Sequence, residues 1–280
     1  MALLAALVTV VLWASAVVGI RAAGEDLSPG ALSLGRLAVG SVLLGALALS
    51  QGGSWPGRRE LPLLFTCGVL WFGLYNPVLN EAERGVDAGT ASMLVNVGPV
   101  LIALLAGLLL HEGFPRLLLV GCAIAFGGAV VIGLATSERG FAAGWGSLLC
   151  VVAAGLYAGG VVAQKPLLSR ASALHITWLA CVIGLAVCLP FAPQLVDELG
   201  EAPASSVAWM LYLGTFPTAV AFTTWAYALS RTTAGRMGAT TYLVPPIAIL
   251  LGWALLGEVP EQLAFVGGGL CLVGVLIARR

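Results

Sequence analysis

The sequence predicts an all-α membrane protein with ten transmembrane helices, arranged as two inverted repeats of five helices each. The first observation is composition. Of the 280 residues, 60% are hydrophobic and 9% are charged, whereas about a quarter of residues are charged in a soluble domain. The second observation is a series of ten apolar segments, and the third is an internal similarity between the two halves of the chain. A mean hydropathy of +1.02 agrees with a bilayer as the solvent for most of the chain.

The ten apolar segments are separated by short connections that carry charges, glycine or proline. A bilayer-crossing helix needs about 20 apolar residues, and a backbone in hydrocarbon must satisfy its own hydrogen bonds. We therefore expect a helix in every segment. The first is expected to be retained, because no basic region precedes it as in a signal peptide. The segments are 2–20, 31–50, 61–79, 88–110, 116–135, 144–163, 174–191, 207–229, 236–256 and 262–278.

The charges of the connections predict the orientation. With ten crossings, nine of the 13 cations lie on the side of the N-terminus and three on the other side, and Arg36 lies within the second helix. Because cytoplasmic loops are enriched in Lys and Arg, both termini are expected in the cytoplasm. The net charge of zero excludes a strongly basic nucleic-acid-binding protein.

The internal similarity links residues 91–128 with residues 237–274 at an offset of 146 positions. A weaker similarity near the same offset links the first predicted helix with the sixth. The clearest matched pairs are Pro99 with Pro245, Glu112 with Glu258, and Gly121 with Gly267.

This offset predicts two repeats, residues 1–140 and residues 141–280, with five helices in each. Because five is an odd number of crossings, the second copy must enter the membrane upside down relative to the first. Inverted repeats are typical of secondary transporters, in which two similar halves exchange inward-open and outward-open arrangements. The alternative is an old duplication that is retained as a scaffold.

Several stretches resemble the EamA family of the drug/metabolite transporter superfamily. The resemblance implies a bacterial inner-membrane carrier, with a central cavity lined by the first, third, fourth, sixth, eighth and ninth helices. It also implies amino acids or related metabolites as exported substrates in many members, and drugs, quaternary amines or nucleotide precursors in others. The matching stretches are Leu12-Trp13-Ala14-Ser15, Ala88-Gly89-Thr90-Ala91-Ser92 leading to Pro99, Leu110-His111-Glu112, Trp225-Ala226-Tyr227-Ala228-Leu229, Val244-Pro245-Pro246 and Leu256-Gly257-Glu258.

Polar and aromatic side chains at mid-helix depth are the candidates for substrate contact, because polar groups are expensive in hydrocarbon unless they face a cavity or another helix. A proline in a helix frees a carbonyl one turn earlier, which allows a bend or binds a ligand. The candidates for substrate binding are Trp13, Ser15, Arg36, Trp71, Tyr75, Asn76, Asn80, Asn96, Tyr157, Gln164, Thr241 and Tyr242, and the candidate hinges are Pro99, Pro245 and Pro246.

Each candidate has a structural alternative. The asparagines could join helices through interhelical hydrogen bonds, and threonine hydroxyls could bond back to their own helix. Arg36 could attract a substrate carboxylate, extend towards the membrane surface or hold a loop. The aromatic rings could contact an apolar substrate, bind a cation through cation–π contact, or form part of the core.

The residues that the sequence lacks also guide the functional prediction. No Asp or Glu lies at mid-helix depth, which argues against exchange of a proton for a cationic drug. The six cysteines lack metal-binding spacing and no catalytic constellation is found, so we expect no metal, no cofactor and no enzymatic activity.

The leading hypothesis is an inner-membrane secondary transporter that exports small metabolites by alternating access, with amino acids as the first candidate substrates. Its alternatives are a carrier of lipophilic or quaternary cations, and a membrane scaffold or enzyme. The expected partners are a small-molecule substrate and membrane lipid, in a monomer or homodimer. Glycines in the fifth and tenth helices could support dimerisation or packing within one chain.

Overall fold

Helices form all the regular secondary structure in the computed structural model of the chain, which describes residues 1–86, 88–136, 144–256 and 262–280. Two π-helical turns, Gly68–Leu74 and Gly214–Val220, and two 3-10 turns, Leu189–Phe191 and Thr241–Leu243, connect consecutive α-helices. The α-helices are α1 (Ala2–Ala23), α2 (Pro29–Gln51), α3 (Leu61–Cys67), α4 (Tyr75–Gly85), α5 (Ala88–Val95), α6 (Gly98–Leu109), α7 (Arg116–Thr136), α8 (Trp145–Leu167), α9 (Ala173–Cys188), α10 (Ala192–Glu201), α11 (Ala204–Leu213), α12 (Ala221–Leu229), α13 (Ala234–Thr240), α14 (Val244–Leu256) and α15 (Gln262–Ala278).

The prediction of an all-α membrane protein is confirmed. In the described part of the chain, seven continuous helices are long and apolar enough to cross a membrane, and Met93–Leu109 and Gln262–Ala278 are shorter apolar helices. The count of ten crossings remains a prediction. The seven long helices are Ala2–Ala23, Pro29–Gln51, Leu61–Ala82, Arg116–Ala135, Trp145–Leu167, Ala173–Glu201 and Ala204–Leu229.

Several helices extend beyond the predicted apolar segments. Glu81 was expected in a connection but lies in α4, where it pairs with Arg84 one turn later. The connection predicted around Asp197 is wrong, because α10 covers that position. Helix α8 likewise continues through Pro166 instead of ending before it. Charged residues are tolerated in these last turns because the ends of a membrane helix reach the polar interface.

The chain packs into two compact units, and each combines residues from both sequence halves. The first unit contains Met1–Asn80 and Gly159–Arg231, and the second contains Glu81–Ala158 and Thr232–Arg280. This division by packing differs from the predicted division by repeat into residues 1–140 and 141–280, which remains a prediction.

In the first unit, the two π-helical turns lie at the offset seen in the sequence. Gly68–Leu74 and Gly214–Val220 are separated by 146 positions at both ends (214 − 68 and 220 − 74). The second contains Pro217, which lacks an N–H and cannot continue the regular α-helical hydrogen bonding. Single π-turns within α-helices are rare and often occur at functional sites. The two π-helical turns therefore share the offset of 146 positions that relates the similar stretches of the sequence.

In the second unit, two helices are interrupted immediately before the candidate hinge prolines. A turn separates α5 from α6, so that Pro99 is the second residue of α6. The 3-10 turn Thr241–Leu243 similarly precedes α14, in which Pro245 is the second residue. The interruptions agree with a bend one turn before each proline, and movement at these bends remains a prediction.

Helices α7 and α15 pack closely within the second unit through paired glycines. A Cβ atom built on Gly121 would lie 2.6 Å from the carbonyl oxygen of Gly274, and one built on Gly274 would lie 2.6 Å from that of Gly121. Gly128 and Gly267 approach each other in the same reciprocal way, at 2.6 and 2.7 Å. The absence of side chains at these positions permits backbone contact. The glycines thus serve packing within one chain.

Glu112 joins the end of α6 to the start of α13 in the second unit. Its Oε1 accepts a hydrogen bond from the N–H of Ala234 at 2.8 Å, and its Oε2 accepts one from Gly235 at 3.2 Å. A carboxylate at a helix N-terminus satisfies unpaired N–H groups and interacts favourably with the helix dipole. These bonds give Glu112 a structural role, and its repeat equivalent Glu258 lies outside the described residues.

Replacement of Glu112 by glutamine is expected to destabilise the protein by about 1–2 kcal/mol, because the amide loses both the negative charge and one of the two acceptors. The measurement is the apparent melting temperature in detergent. Glu201→Gln, at the exposed end of α10, is the control for loss of one carboxylate. Equal melting temperatures for the two variants would show that the Glu112 bonds contribute little.

Candidate functional site

Three aromatic side chains of the first unit contact Trp13 of α1. The ring centroid of Trp13 lies 6.0 Å from that of Trp71, 5.3 Å from that of Phe222 and 5.0 Å from that of Trp225. Trp71 and Phe222 are also in edge contact, with centroids 4.9 Å apart. Edge-to-face and tilted contacts of this kind are the favoured arrangements of aromatic pairs. We refer to Trp13, Trp71, Phe222 and Trp225 as the aromatic cluster.

Trp13 differs from the other members of the aromatic cluster in exposure. Trp71 and Trp225 are at most 1% exposed, whereas the Trp13 ring is only partly buried. The indole Nε1 of Trp13 donates a hydrogen bond of 3.3 Å to the carbonyl of Pro217. That carbonyl belongs to the second π-helical turn, and Trp71 lies in the first. The aromatic cluster is therefore built directly on the two helix interruptions.

Gln164 of α8 is the most unusual polar residue of the first unit. Its side chain is 0% exposed, and neither its Oε1 nor its Nε2 has a hydrogen-bond partner among the described residues. Gly160, one turn earlier on the same face, packs against Trp71. The next residue, Lys165, donates a hydrogen bond of 2.8 Å to the carbonyl of Leu229, one turn beyond Trp225. Gln164 is thus one helical turn from the residue of α8 that packs against the aromatic cluster.

An unpartnered amide in a protein interior is costly, because it loses its hydrogen bonds to water without replacement. Glutamine carries two N–H donors and an oxygen acceptor. The Gln164 amide can therefore donate to a carboxylate and accept from an ammonium group. Such a group is suited to a ligand that carries both charges.

Arg36 is buried in the middle of the first unit, with 4% of its surface exposed. Its Nε donates a hydrogen bond of 3.1 Å to Thr218 Oγ1, and that hydroxyl in turn donates to the carbonyl of Leu213. This burial argues against extension to the membrane surface. The contact connects α2 to the second π-helical turn, which favours the structural alternative, and contact with a substrate remains a proposal.

Of the two asparagines of α4, Asn80 makes the interhelical contact that its structural alternative predicts, whereas Asn76 bonds back to its own continuous helix. Asn76 Nδ2 donates to the carbonyl of Phe72 in the preceding turn, at 3.2 Å. Asn80 Nδ2 donates to the carbonyl of Pro29 and to the hydroxyl of Ser33, which joins α4 to α2. Asn80 Oδ1 is buried and lacks a partner among the described residues. Asn80 accordingly keeps an acceptor for a further ligand.

Two further candidates of the first unit contact neighbouring helices. Ser15 Oγ forms a hydrogen bond of 2.6 Å with the hydroxyl of Tyr212, and it also donates to the carbonyl of Leu12. Tyr75 is half-buried and lies within electrostatic range of Arg36. Both residues remain proposed site residues.

The remaining candidates lie in the second unit, at its helix interruptions. Tyr157 packs against Gly98, where a built Cβ would lie 2.8 Å from the tyrosine ring, and it lies within electrostatic range of Tyr242. Tyr242 is 0% exposed, and its hydroxyl has no hydrogen-bond partner among the described residues. Thr241 Oγ1 bonds back to the carbonyl of Gly238 at 2.7 Å, and Asn96 is half-buried in the turn between α5 and α6.

Sequence reasoning missed two members of the aromatic cluster. Phe222 and Trp225 are not among the site residues that the sequence predicts, although their i, i+3 spacing places both on one face of α12. Thr9 was also missed. Its hydroxyl is buried and forms a hydrogen bond of 2.8 Å with Thr224. Periodicity would have found the two rings, but no local signal indicates the Thr9 contact.

The buried polar groups of both units contain little charge. Arg36 is the one buried side chain with a permanent charge among the described residues, and no buried Asp or Glu occurs among them. No group of three His, Cys, Asp or Glu side chains in these ranges is placed to hold a metal ion. The candidate residues of each unit are therefore aromatic rings and neutral hydrogen-bonding groups, with one guanidinium, that of Arg36, in the first unit.

Comparison with known proteins identifies the family. The profile of the EamA-like transporter family matches residues 1–134 and 144–280. The chain is 38% identical over 277 residues to a protein of Streptantibioticus cattleyicolor named "Probable terminal-alkyne amino-acid exporter", with 99% of this chain and 92% of the relative covered. It is 31% identical to the Bacillus subtilis protein named "Uncharacterized transporter YdfC", with 94% and 86% covered.

More distant matches agree. A Salmonella typhimurium protein named "Probable amino-acid metabolite efflux pump" is 24% identical, with 79% of this chain and 78% of that protein covered. A crystal structure with 19% sequence identity shares the fold, with a TM-score of 0.79 over 99% of this chain and 96% of that chain. The family profile extends over nearly the whole sequence, and the described helices form a multi-pass membrane fold. The chain therefore belongs to the EamA-like transporter family, whose members are membrane carriers and not enzymes.

Proposed function

We propose that the chain is a secondary transporter of the bacterial inner membrane that exports amino acids by alternating access. The observation that carries this proposal is the Gln164 amide, which is fully buried and has no partner among the described residues. It lies one helical turn from Gly160, which packs against Trp71 of the aromatic cluster. Its donors suit a carboxylate, and its acceptor suits an ammonium group. The indole rings of the cluster offer an apolar surface to a side chain. A zwitterionic amino acid meets all three requirements.

The charge of the candidate site is consistent with a zwitterion. A substrate with a net positive charge favours a buried carboxylate, and none occurs among the described residues. Arg36 supplies positive charge in the same unit as Gln164. Its Nε is bonded to a neutral hydroxyl of Thr218, so the guanidinium charge is not neutralised by that contact.

The proposal includes ten crossings, with both termini in the cytoplasm and the halves 1–140 and 141–280 as inverted repeats. Three structural features support the repeat. The π-helical turns are 146 positions apart, the helix interruptions precede matched prolines, and the glycines of α7 and α15 contact each other reciprocally. The family profile also matches two separate stretches. Such a repeat permits exchange between two opposite arrangements.

The names of two relatives support amino acids as the substrate class, since one is named an amino-acid exporter and the other an amino-acid metabolite efflux pump. The first of them aligns with 99% of this chain. Under this proposal the substrate contacts made by the first unit come from its candidate residues together with Phe222 and Trp225. In the second unit, Asn96, Tyr157, Thr241 and Tyr242 are proposed contacts at the helix interruptions, where Pro99, Pro245 and Pro246 allow the bends.

Purified protein in liposomes is expected to catalyse saturable counterflow of at least one amino acid. The measurement uses a panel of radiolabelled amino acids, with liposomes preloaded with the same unlabelled compound. Protein-free liposomes set the background. Counterflow shows that the substrate is carried through the protein, whichever direction the cell uses.

A quaternary cation is the second candidate substrate, and the aromatic cluster is the observation that favours it, because the partly exposed ring of Trp13 can stabilise a cation through its face. Radiolabelled choline is therefore included in the same panel. Counterflow of choline together with no counterflow of any amino acid would reject the amino-acid proposal. Counterflow of an amino acid alone would reject the cation alternative.

A further inference from the structure

A cavity lined by three arginines lies at one end of the second unit. Arg116 is the first residue of α7, Arg236 lies in α13, and Arg280 follows α15. The cavity they line has a volume of about 250 Å³. Small-ligand pockets usually measure roughly 300–1,000 Å³, so this cavity suits a compact group such as a phosphate or a small headgroup.

The positive charge of this cavity is not neutralised by the acids that the structure describes nearby. The ion pairs of the described residues, Arg84 with Glu81 and Arg170 with Glu60, lie elsewhere. Arg236 Nη2 donates at 3.1 Å to a main-chain oxygen of Arg280, the last residue of the sequence. The carboxylate there offsets one of the three guanidinium charges, so the cavity keeps a net positive charge.

The surrounding groups leave this positive charge in place. The carboxylate of Glu112 is bonded to the N–H groups of Ala234 and Gly235 at the start of α13. Arg279 also lies at this end of the unit, and burial together with the charge of Arg236 lowers its pKa. An anion in the cavity offsets the positive charge that remains.

The position of the cavity indicates the source of the anion. Helix α7 is a candidate membrane span from Arg116 to Ala135, so the cavity lies at the end of a span, where lipid headgroups are found. Leu117 and Val120, in the first turns of the same helix, are 52% and 51% exposed. Arginine-lined pockets beside apolar helix surfaces are suited to anionic lipids. A soluble phosphate would contact the arginines only, whereas a lipid would also cover the exposed apolar surface of α7.

We propose that the cavity lined by Arg116, Arg236 and Arg280 binds the phosphate of an anionic phospholipid headgroup, with the acyl chains along the exposed face of α7. The guanidinium groups present paired N–H donors that match phosphate oxygens in bidentate geometry. The three arginines line the cavity from the ends of α7, α13 and α15, so a bound headgroup also connects these helices.

The test is a titration of the full chain in a neutral detergent with dihexanoyl phosphatidylglycerol, followed by calorimetry and by the apparent melting temperature. The native protein is expected to bind this lipid and to gain thermal stability, because the ligand binds the folded state. Arg116→Gln is expected to weaken binding about tenfold, because it removes one charge-assisted contact. Arg116→Gln combined with Arg280→Gln is expected to abolish detectable binding.

Three controls distinguish the lipid site from general attraction of charge. Arg59→Gln removes an exposed arginine before α3 and is expected to leave binding unchanged. Dihexanoyl phosphatidylcholine and inorganic phosphate are expected to bind at least tenfold more weakly than phosphatidylglycerol. Equal weakening of binding by Arg59→Gln and Arg116→Gln would overturn the proposed site. An affinity for phosphatidylcholine equal to that for phosphatidylglycerol would overturn the preference for anions. An affinity for inorganic phosphate equal to that for phosphatidylglycerol would overturn a lipid as the ligand.

Discussion

Gln164→Leu is expected to lower amino-acid counterflow at least tenfold, while the folded protein remains as stable as the native chain or becomes more stable. The amide is 0% exposed and has no hydrogen-bond partner among the described residues, so its burial costs about 1–3 kcal/mol. Leucine has a similar size and carries no such cost. A lost hydrogen bond to a charged substrate group corresponds to about 1.5–3 kcal/mol, or roughly 10- to 100-fold in affinity.

Loss of counterflow without loss of thermal stability distinguishes a substrate contact from a structural role, because removal of a structural contact would lower both. Counterflow is measured with the amino acid that the native protein carries best, and stability is measured as the apparent melting temperature in detergent. Gln194→Leu, at an exposed position of α10, is the matched control for the same chemical change. It is expected to change neither quantity by much.

Two results would contradict the role of Gln164. Native counterflow in Gln164→Leu would show that the amide does not contact the substrate. A large fall in melting temperature would show instead that the amide has a structural partner in the folded protein. Gln164→Met provides a second apolar replacement, with a flexible side chain, in case leucine does not fit the site.

Gly128→Ala is expected to destabilise the protein by about 2–3 kcal/mol, because the added methyl group meets backbone atoms that cannot move independently. A Cβ at Gly128 would lie 2.6 Å from the carbonyl oxygen of Gly267 and 2.7 Å from the amide nitrogen of Cys271. Helices α7 and α15 must therefore separate to accept it. The expected fall in apparent melting temperature is ~5–10 °C.

The neighbouring glycine provides an unusually close control. A Cβ at Gly127 meets no atom within 4 Å, so Gly127→Ala is expected to have a neutral or slightly stabilising effect, because alanine favours the helix over glycine. Gly267→Ala is expected to be as harmful as Gly128→Ala, since the contact is reciprocal. Equal melting temperatures for the alanine variants at 127 and 128 would contradict the close packing of α7 and α15.

The helical fold was predictable because hydropathy and length are local properties of the sequence. The ends of the helices were less predictable. Asp197 was assigned to a connection, yet it lies in α10, because a charge at a membrane interface does not end a helix. The segment 88–110 was predicted as one helix, yet it is interrupted before Pro99, which was only a candidate hinge. The π-helical turn Gly68–Leu74 contains no proline and lacked any local signal.

The candidate site was predictable in composition but not in its contacts. Position within a predicted helix and residue type identified Trp13, Gln164 and Arg36 as candidates. Their environments depend on distant parts of the chain, as Trp13 contacts Pro217 and Arg36 contacts Thr218, 182 positions away. Such pairs leave no periodic pattern in the sequence.

By itself the sequence determined a helical membrane protein, a repeat at an offset of 146 positions, and a resemblance to one transporter family. These follow from the apolar content of about 20 consecutive residues and from matched motifs, which do not depend on how the helices pack. The tertiary structure alone decided that the glycines of α7 and α15 face each other, that the buried rings gather around Trp13, and that the Gln164 amide lacks a partner among the described residues. The physical reason is that each of these features depends on which distant surfaces meet, and burial gives a polar group a cost only after those surfaces have closed around it.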